Sequence, residues 1–387
     1  MTDIPARDSA GLANWREPPF SRWAFRHLRE ILPTAPIAGA PDDPRPLPQA
    51  PRSLDAFRLA LPAGGEIDLA RFLEITVSDA LVVLLDGQLV HETYVPGMTG
   101  RTPHLLMSAS KTITGLVAGI LHHGGAFELD APISDLIPEV ADTAWRGATA
   151  RHLLDMRAGA ALNPADLAAY DAAIGWDPPA GPSADMRACF TAMTTPGAPH
   201  GGPFAYVSAN TDLLAWVLER AGGRPFADLV ADLLWRPMGA ADEACVTLDG
   251  AGLARASGGL CATPHDFARL GQLIVDGGRR GDRQVVPTAW IEDVCHNGDR
   301  DAWDKGEFGP GFAPMGMSLS YRGGWYVIED EPQTLFAMGI HGQNLFVDRA
   351  NRLVIAKLST LPVRIDPRAL ALTHLAAPEI RRCLLGR

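Results

Sequence analysis

Ser108 and Lys111 stand three residues apart in the string MSASK, where the apolar spacing of Ile113, Leu116, Val117 and Ile120 predicts a helix from Ser108 to His123. Both side chains then share one helix face and can share a hydrogen bond, which is what a serine nucleophile needs from an adjacent base. Composition sharpens the signal. Only Lys111, Lys305 and Lys357 are lysine among 34 basic residues, so with 13 serines a chance Ser-x-x-Lys tetrad is expected about 0.1 times in this chain. Arginine stays protonated, whereas a buried lysine can lose its proton and act as a base. Neutrality near pH 7 requires a shift of about three pKa units, roughly 4 kcal/mol, and Leu105, Leu106, Met107 and Ile113 supply apolar neighbours for that burial. The free N–H groups of a helix start also favour an oxyanion near Ser108. The competing reading is a surface serine beside a solvated lysine.

Two further segments hold candidate groups. FAYVSANTDLLAW offers Tyr206, Ser208 and Asn210 just ahead of a helix, and a tyrosine whose pKa is lowered by positive charge can relay a proton to a leaving group. Its alternative role is packing. In GIHGQN, flanking glycines allow close backbone approach, with Ile340 offering a backbone N–H and His341 a polar side chain. Eleven histidines without an H-E-x-x-H cluster argue against a metal, and five scattered cysteines without C-x-x-C spacing argue against zinc or a disulfide framework. No metal and no cofactor are expected.

The elements that must position these groups follow from periodicity. ALVVLL (80 to 85), Asp86-Gly87 and QLVHETYV (88 to 95) predict a β-hairpin. A short amphipathic helix is expected at 21 to 32, followed by a proline-rich extended arm or linker at 33 to 51. Helices dominate the middle: one capped by Thr149, one over Thr211 to Arg220, one starting near Pro225 and one capped by Thr263. Strands return in MSLSYRGGWYVI, LFAMGIHG, NLFVD and RLVIAKLS. The fold class is therefore α+β, with one antiparallel sheet made from both chain ends and a helical insertion closing over it. The expected division is an arm at 1–65, a sheet domain at 66–120 and 250–387, and a helical domain at 121–249. A net charge of −11 argues against nucleic acid, no apolar run reaches the ~18 residues of a membrane span, and the amino terminus lacks a secretory pattern, so a cytoplasmic location is expected.

These residues, in this order, resemble the serine β-lactamase and penicillin-recognising superfamily. More specifically, WREPPFSRWAFRHL (15 to 28), LLMSASK (105 to 111), FAYVSANTDLLAWVLER (204 to 220) and GIHGQNLFVD (339 to 348) are similar to the 6-aminohexanoate-dimer hydrolase branch. The resemblance implies a β-lactamase-like fold, with Ser108 as acyl-forming nucleophile, Lys111 as base and Tyr206 as proton relay. It also implies an oxyanion hole from the backbone N–H groups of Ser108 and Ile340, a substrate-ammonium site at Asp171, and Trp325 and Tyr326 on the pocket wall. Ser208, Asn210 and His341 complete the substrate-binding set. Two departures follow. The branch's loop tyrosine has no match in the shorter AGAALNPADLAAYDAAIGW, leaving Tyr170 as its substitute, and Ile-His-Gly replaces Lys-Thr-Gly. The expected activity is hydrolysis of small esters or linear amides, with no partner beyond the substrate and a homodimer kept open as the assembly. A β-lactamase or D-amino-acid peptidase is the alternative within the enzymes, and a catalytically silent binding protein the alternative outside them.

Overall fold

ALVVLL is too continuously apolar for a strand with one wet face, and the sheet that contains it is covered on both sides. The computed structural model describes residues 9–61, 64–160, 162–179, 181, 185–195 and 197–386. Its main sheet comprises β1 (Ser78–Leu85), β2 (Gln88–Tyr94), β3 (Leu319–Arg322), β4 (Trp325–Ile328), β5 (Thr334–Gly339), β6 (Gln343–Asp348) and β7 (Leu353–Ser359). Their spatial order is β3-β4-β5-β6-β7-β1-β2, and every neighbouring pair is antiparallel. The chain ends meet at β7 and β1, where Ile355 lies opposite Val83 and Lys357 opposite Leu81. The β1–β2 hairpin turns through Asp86 and Gly87, both at positive φ, as that dipeptide predicts.

Helices α1 (Ser110–His123), α4 (Pro264–Val275) and α5 (Pro367–Leu385) lie at the sheet, and α2 (Pro164–Ala173) and α3 (Ser208–Gly222) lie in the helical layer. Alternation in β1 and β7 sends Val82, Leu84, Val354 and Ala356 into one core with Ile113 and Leu116 of α1 and Phe267 and Leu270 of α4. Leu81, Val83 and Ile355 point the other way, onto Leu372, Ala376, Ile380 and Leu384 of α5. The expected caps form: Thr149 accepts from His152 N and Thr263 from Asp266 N.

Three readings need correction or extension. The helix expected at 21 to 32 is only Ser21–Ala24 followed by a 3-10 turn at Leu28–Glu30, because the Phe25 carbonyl is engaged by Leu105 N at 2.9 Å. The proline-rich arm contributes Thr34–Ile37, which pairs with Ala244–Thr247. That pairing opens a four-stranded sheet running on through Leu260–Ala262 to His104–Leu105. Helix α5 is not anticipated from the sequence, although Leu372, Ala376, Ile380 and Leu384 recur at helical spacing; Pro378 interrupts the pattern. All five cysteines are free thiols.

Candidate active site

The small four-stranded sheet delivers Ser108. Leu105 pairs with Cys261, Leu106 N donates to Leu260 O at 2.8 Å, and the chain then turns through a 3-10 turn, Met107–Ala109, before α1 begins at Ser110. Ser108 thus precedes the regular helix instead of opening it. Met107 is held at φ +48, a left-handed conformation that costs a non-glycine residue about 1 kcal/mol or more and here presents the next side chain to the cleft. Gly339, at the end of β5, packs so closely that a Cβ there would meet Leu106 O at 2.6 Å and Met107 Cβ at 3.0 Å. The strand end bearing Ile340 is thereby pressed against the turn bearing Ser108.

At the second residue of α1, Lys111 is buried. Its Nζ lies 3.2 Å from Ser108 Oγ, 3.3 Å from Ser208 Oγ and 2.7 Å from the Ser257 carbonyl, which accepts one of its N–H groups. The Tyr206 ring centroid is 4.8 Å from Nζ. Burial, reinforced by the Arg255 charge, holds the Lys111 amine well below the ordinary lysine value, with Asp212 opposing. Burial pushes the Tyr206 phenol up to about 12, while interactions with the hydroxyls of Ser108 and Ser208 and the Arg255 charge pull the other way. Positive charge therefore does not win at Tyr206, contrary to the expectation of a lowered pKa. Near neutral pH the phenol keeps its proton, while the amine gives up its own far more readily than an ordinary lysine.

Behind Lys111 sits a buried ion pair that sequence reading missed. Arg255 pairs with Asp212, and Asp212 accepts from Ser257 N at 2.8 Å while Arg255 donates to Ser257 Oγ at 2.6 Å. The pair fixes the carbonyl on which Lys111 rests. Its sequence signals were faint: an aspartate inside the apolar face of α3, and an Arg-Ala-Ser-Gly-Gly turn ahead of a strand.

A cleft of about 500 Å³ opens over Ser108, with Tyr206, Ser208, Ile340, His341 and Asp171 also on its walls. Asp171 projects from α2 and is exposed. His341, at φ +62, is tied by Nδ1 to the Leu361 carbonyl at 2.7 Å, and burial lowers its pKa. Trp15 and Trp176, joined by a 2.9 Å bond from Trp15 Nε1 to the Trp176 carbonyl, form a wall not anticipated from the sequence.

Four expected binding residues lie elsewhere. Tyr170 is buried, with its hydroxyl bonded to Asp212 and Arg255, because a buried phenol must find a partner and this ion pair supplies it. It therefore does not replace the loop tyrosine over the acyl site. Asn210 is buried and accepts from Trp145 Nε1 at 2.9 Å. Trp325 and Tyr326 belong to β4, an inner strand covered on both faces, so both alternating side chains enter the core. Tyr326 stacks on Phe336 at 4.8 Å between centroids. Among the described residues no group of three or more His, Cys, Asp or Glu side chains could hold a metal ion, and no helix is long and apolar enough to cross a membrane.

A serine hydroxyl against a buried amine, at the junction of a two-ended antiparallel sheet and a helical layer, defines a class: the chain belongs to the Beta-lactamase family, whose family model matches residues 71–377, and is a serine hydrolase. It is 35% identical over 358 residues to the 6-aminohexanoate-dimer hydrolase of Paenarthrobacter ureafaciens, covering 91% of this chain and 88% of that one. A solved Bacillus anthracis structure named for the same dimer hydrolase superposes with a TM-score of 0.87 at 26% identity over 99% of both chains. The fold also extends to a family VIII carboxylesterase, with a TM-score of 0.57 and 16% identity over 80% of this chain and 95% of that one.

Proposed function

We propose that this chain hydrolyses short carboxylic esters, and linear amides more slowly, through an acyl-enzyme on Ser108. The observation that carries this reading is the Lys111 amine, buried, depressed toward neutrality and 3.2 Å from Ser108 Oγ. With one N–H given to the Ser257 carbonyl, the amine's lone pair is free to take the Ser108 proton as Oγ attacks the substrate carbonyl. The backbone N–H groups of Ser108 and Ile340 stabilise the resulting oxyanion. Neutral Tyr206 gives its phenolic proton to the departing oxygen or nitrogen and is reprotonated from Lys111. Water then attacks the acyl-enzyme by the same steps in reverse. Asp171, exposed on the cleft wall, suits a cationic end of the substrate. Five free thiols fit a reducing cytoplasmic compartment.

A fluorophosphonate probe should label one serine, and mass spectrometry should locate the adduct on the peptide containing Ser108. Ser108→Ala should abolish both labelling and ester turnover, leaving at most the ~10³ to 10⁴-fold acceleration that binding and an oxyanion hole supply. Labelling elsewhere with activity kept in Ser108→Ala would overturn the assignment. Esters should be turned over faster than amides because an amine must be protonated as it leaves, and Tyr206 is the only tyrosine lining the cleft among the described residues. The comparison to run is p-nitrophenyl butyrate against the linear dimer of 6-aminohexanoate and a chromogenic cephalosporin. A higher kcat/KM for either of the last two would refute the ester preference.

A further inference from the structure

Two of the chain's three lysines are buried, and the acyl site uses only one of them. Lys305 is exposed and paired with Asp301 at 2.7 Å. Lys357, on β7, is 2% exposed and ranks among the largest fully buried side chains of the protein. No carboxylate lies within ion-pair distance of it among the described residues; Asp79, which pulls its pKa upward, is committed to Arg22 at 2.9 Å and faces His104 at 3.3 Å. The Lys357 amine instead meets Ser359 Oγ at 2.6 Å and the Gly342 carbonyl at 3.4 Å. Burial pushes it down to about 7.

Both contacts bear on one turn. Ile340, His341 and Gly342 link β5 to β6, with His341 at φ +62 and Gly342 at φ +94. Two successive residues at positive φ make a sharp bend; glycine takes it freely, but His341 does so at a cost that needs outside support. Support arrives from the end of β7. A Cβ on Gly342 would lie 2.9 Å from Ser359 Cβ, and Gln343 brackets the Ser359 backbone, donating to its carbonyl at 2.7 Å and accepting from its N–H at 3.0 Å. His341 is tied to Leu361 through its ring and its carbonyl. Lys357 supplies the remaining link, from Ser359 to the carbonyl that closes the bend. An arginine would bring a permanent charge and five donors into a space with two acceptors.

We propose that Lys357 is a positioning residue of the acyl site: anchored on Ser359, it holds the Gly342 carbonyl and so fixes the turn that aims the Ile340 N–H at the substrate's carbonyl oxygen. This rests on the reading of Ser108 and Ile340 given above. It explains why a chain that otherwise uses arginine keeps a second lysine inside. Methionine would fill the same space without holding the turn, leaving the carbonyl and hydroxyl without their donor.

The test uses the full chain and p-nitrophenyl butyrate, with Lys357→Met, Ser359→Ala and the double variant. Loss of a whole oxyanion donor typically costs 10²- to 10³-fold, so loosening one should lower kcat about tenfold while KM stays within about twofold. Because both side chains act on one turn, the double variant should be no slower than the worse single variant. A purely structural role would change stability and leave kcat alone; kcat within about twofold of wild type in a folded variant, or effects that multiply in the double variant, overturns the proposal. Should Lys357→Met fail to fold, Ser359→Ala, which removes a single oxygen, decides by the same criterion. Ser108→Ala runs alongside. Activity retained there overturns the acyl-site reading itself, whereas activity lost there but kept in Lys357→Met overturns only the positioning role.

Discussion

Proton traffic at the cleft depends on two groups moved in opposite directions. Lys111 is lowered by burial and by Arg255, and Tyr206 is raised by burial to about 12. The base is therefore available at moderate pH while the relay keeps its proton. With increasing pH, kcat/KM for a chemically stable ester should climb through a single acid limb as Lys111 deprotonates, then stay level to about pH 10, since Tyr206 does not ionise there. A descending limb near pH 8 or 9 would show that a protonated group other than Tyr206 is needed. Lys111→Arg separates a base from a mere positive charge. Arginine supplies a permanent positive charge and most of the bulk but cannot accept a proton, so it should be nearly as inactive as Lys111→Ala, with both at least about 100-fold below wild type. Retention of more than about a tenth of the rate would make Lys111 an electrostatic group and shift the base role to Tyr206.

Helix α1 carries the amine, and its seat on the sheet is set by glycines. A Cβ on Gly115 would lie 1.9 Å from the Gly323 carbonyl oxygen in the β3–β4 turn, and one on Gly324 would lie 2.5 Å from the Lys111 carbonyl. Backbone meets backbone there, so no side chain can move aside. Gly115→Ala should push the helix off the hairpin, destabilising the fold by about 1–3 kcal/mol in a urea titration and lowering kcat as Lys111 leaves Ser108. Unchanged stability and rate would mean that the helix has room the packing does not show. Elements of this kind differ in how legible they are in a sequence. The β1–β2 hairpin, α4 and the Thr149 cap are specified locally, by a turn dipeptide or a capping residue followed by a periodic run. The Thr34–Ile37 strand is not, because its partner lies more than two hundred residues away and its prolines read as linker. The same holds within the site. Ser108 and Lys111 are one helical turn apart and visible as a motif, whereas Ser257, Asp212 and Arg255 converge only through folding. Trp325 and Tyr326 fail for a related reason, since whether a strand residue faces cleft or core depends on which elements cover its sheet.

For the whole molecule, burying two lysines as depressed amines ties folding to pH. In the unfolded chain lysine titrates near 10.4, whereas folded Lys357 titrates at about 7 and folded Lys111 also lies well below the ordinary value. Between about pH 7 and pH 10 the unfolded chain holds more protons on Lys357 than the native state does, so its contribution makes stability rise with pH, and Lys111 acts in the same sense. Well below pH 7 Lys357 is protonated in both states and its contribution is flat, the native protein then carrying a buried charge. Except for Cys245, which its contact with Cys261 lowers to about 7, the thiols act in the opposite sense at higher pH. Burial raises Cys189 to about 11 and also raises Cys261 and Cys295, so their ionisation in the unfolded chain erodes stability above about pH 8. The clean window is therefore pH 6 to 8, and the clean comparison is wild type against Lys357→Met, in which every other titrating group cancels. Between those limits wild type should gain on the order of 1 kcal/mol relative to the variant, read from urea midpoints at fixed ionic strength. Methionine should be the more stable side chain at pH 6, where the native lysine is charged, and should lose that advantage as the amine releases its proton. Parallel pH profiles for the two proteins would place the Lys357 pKa outside this window and remove the link between its burial and folding.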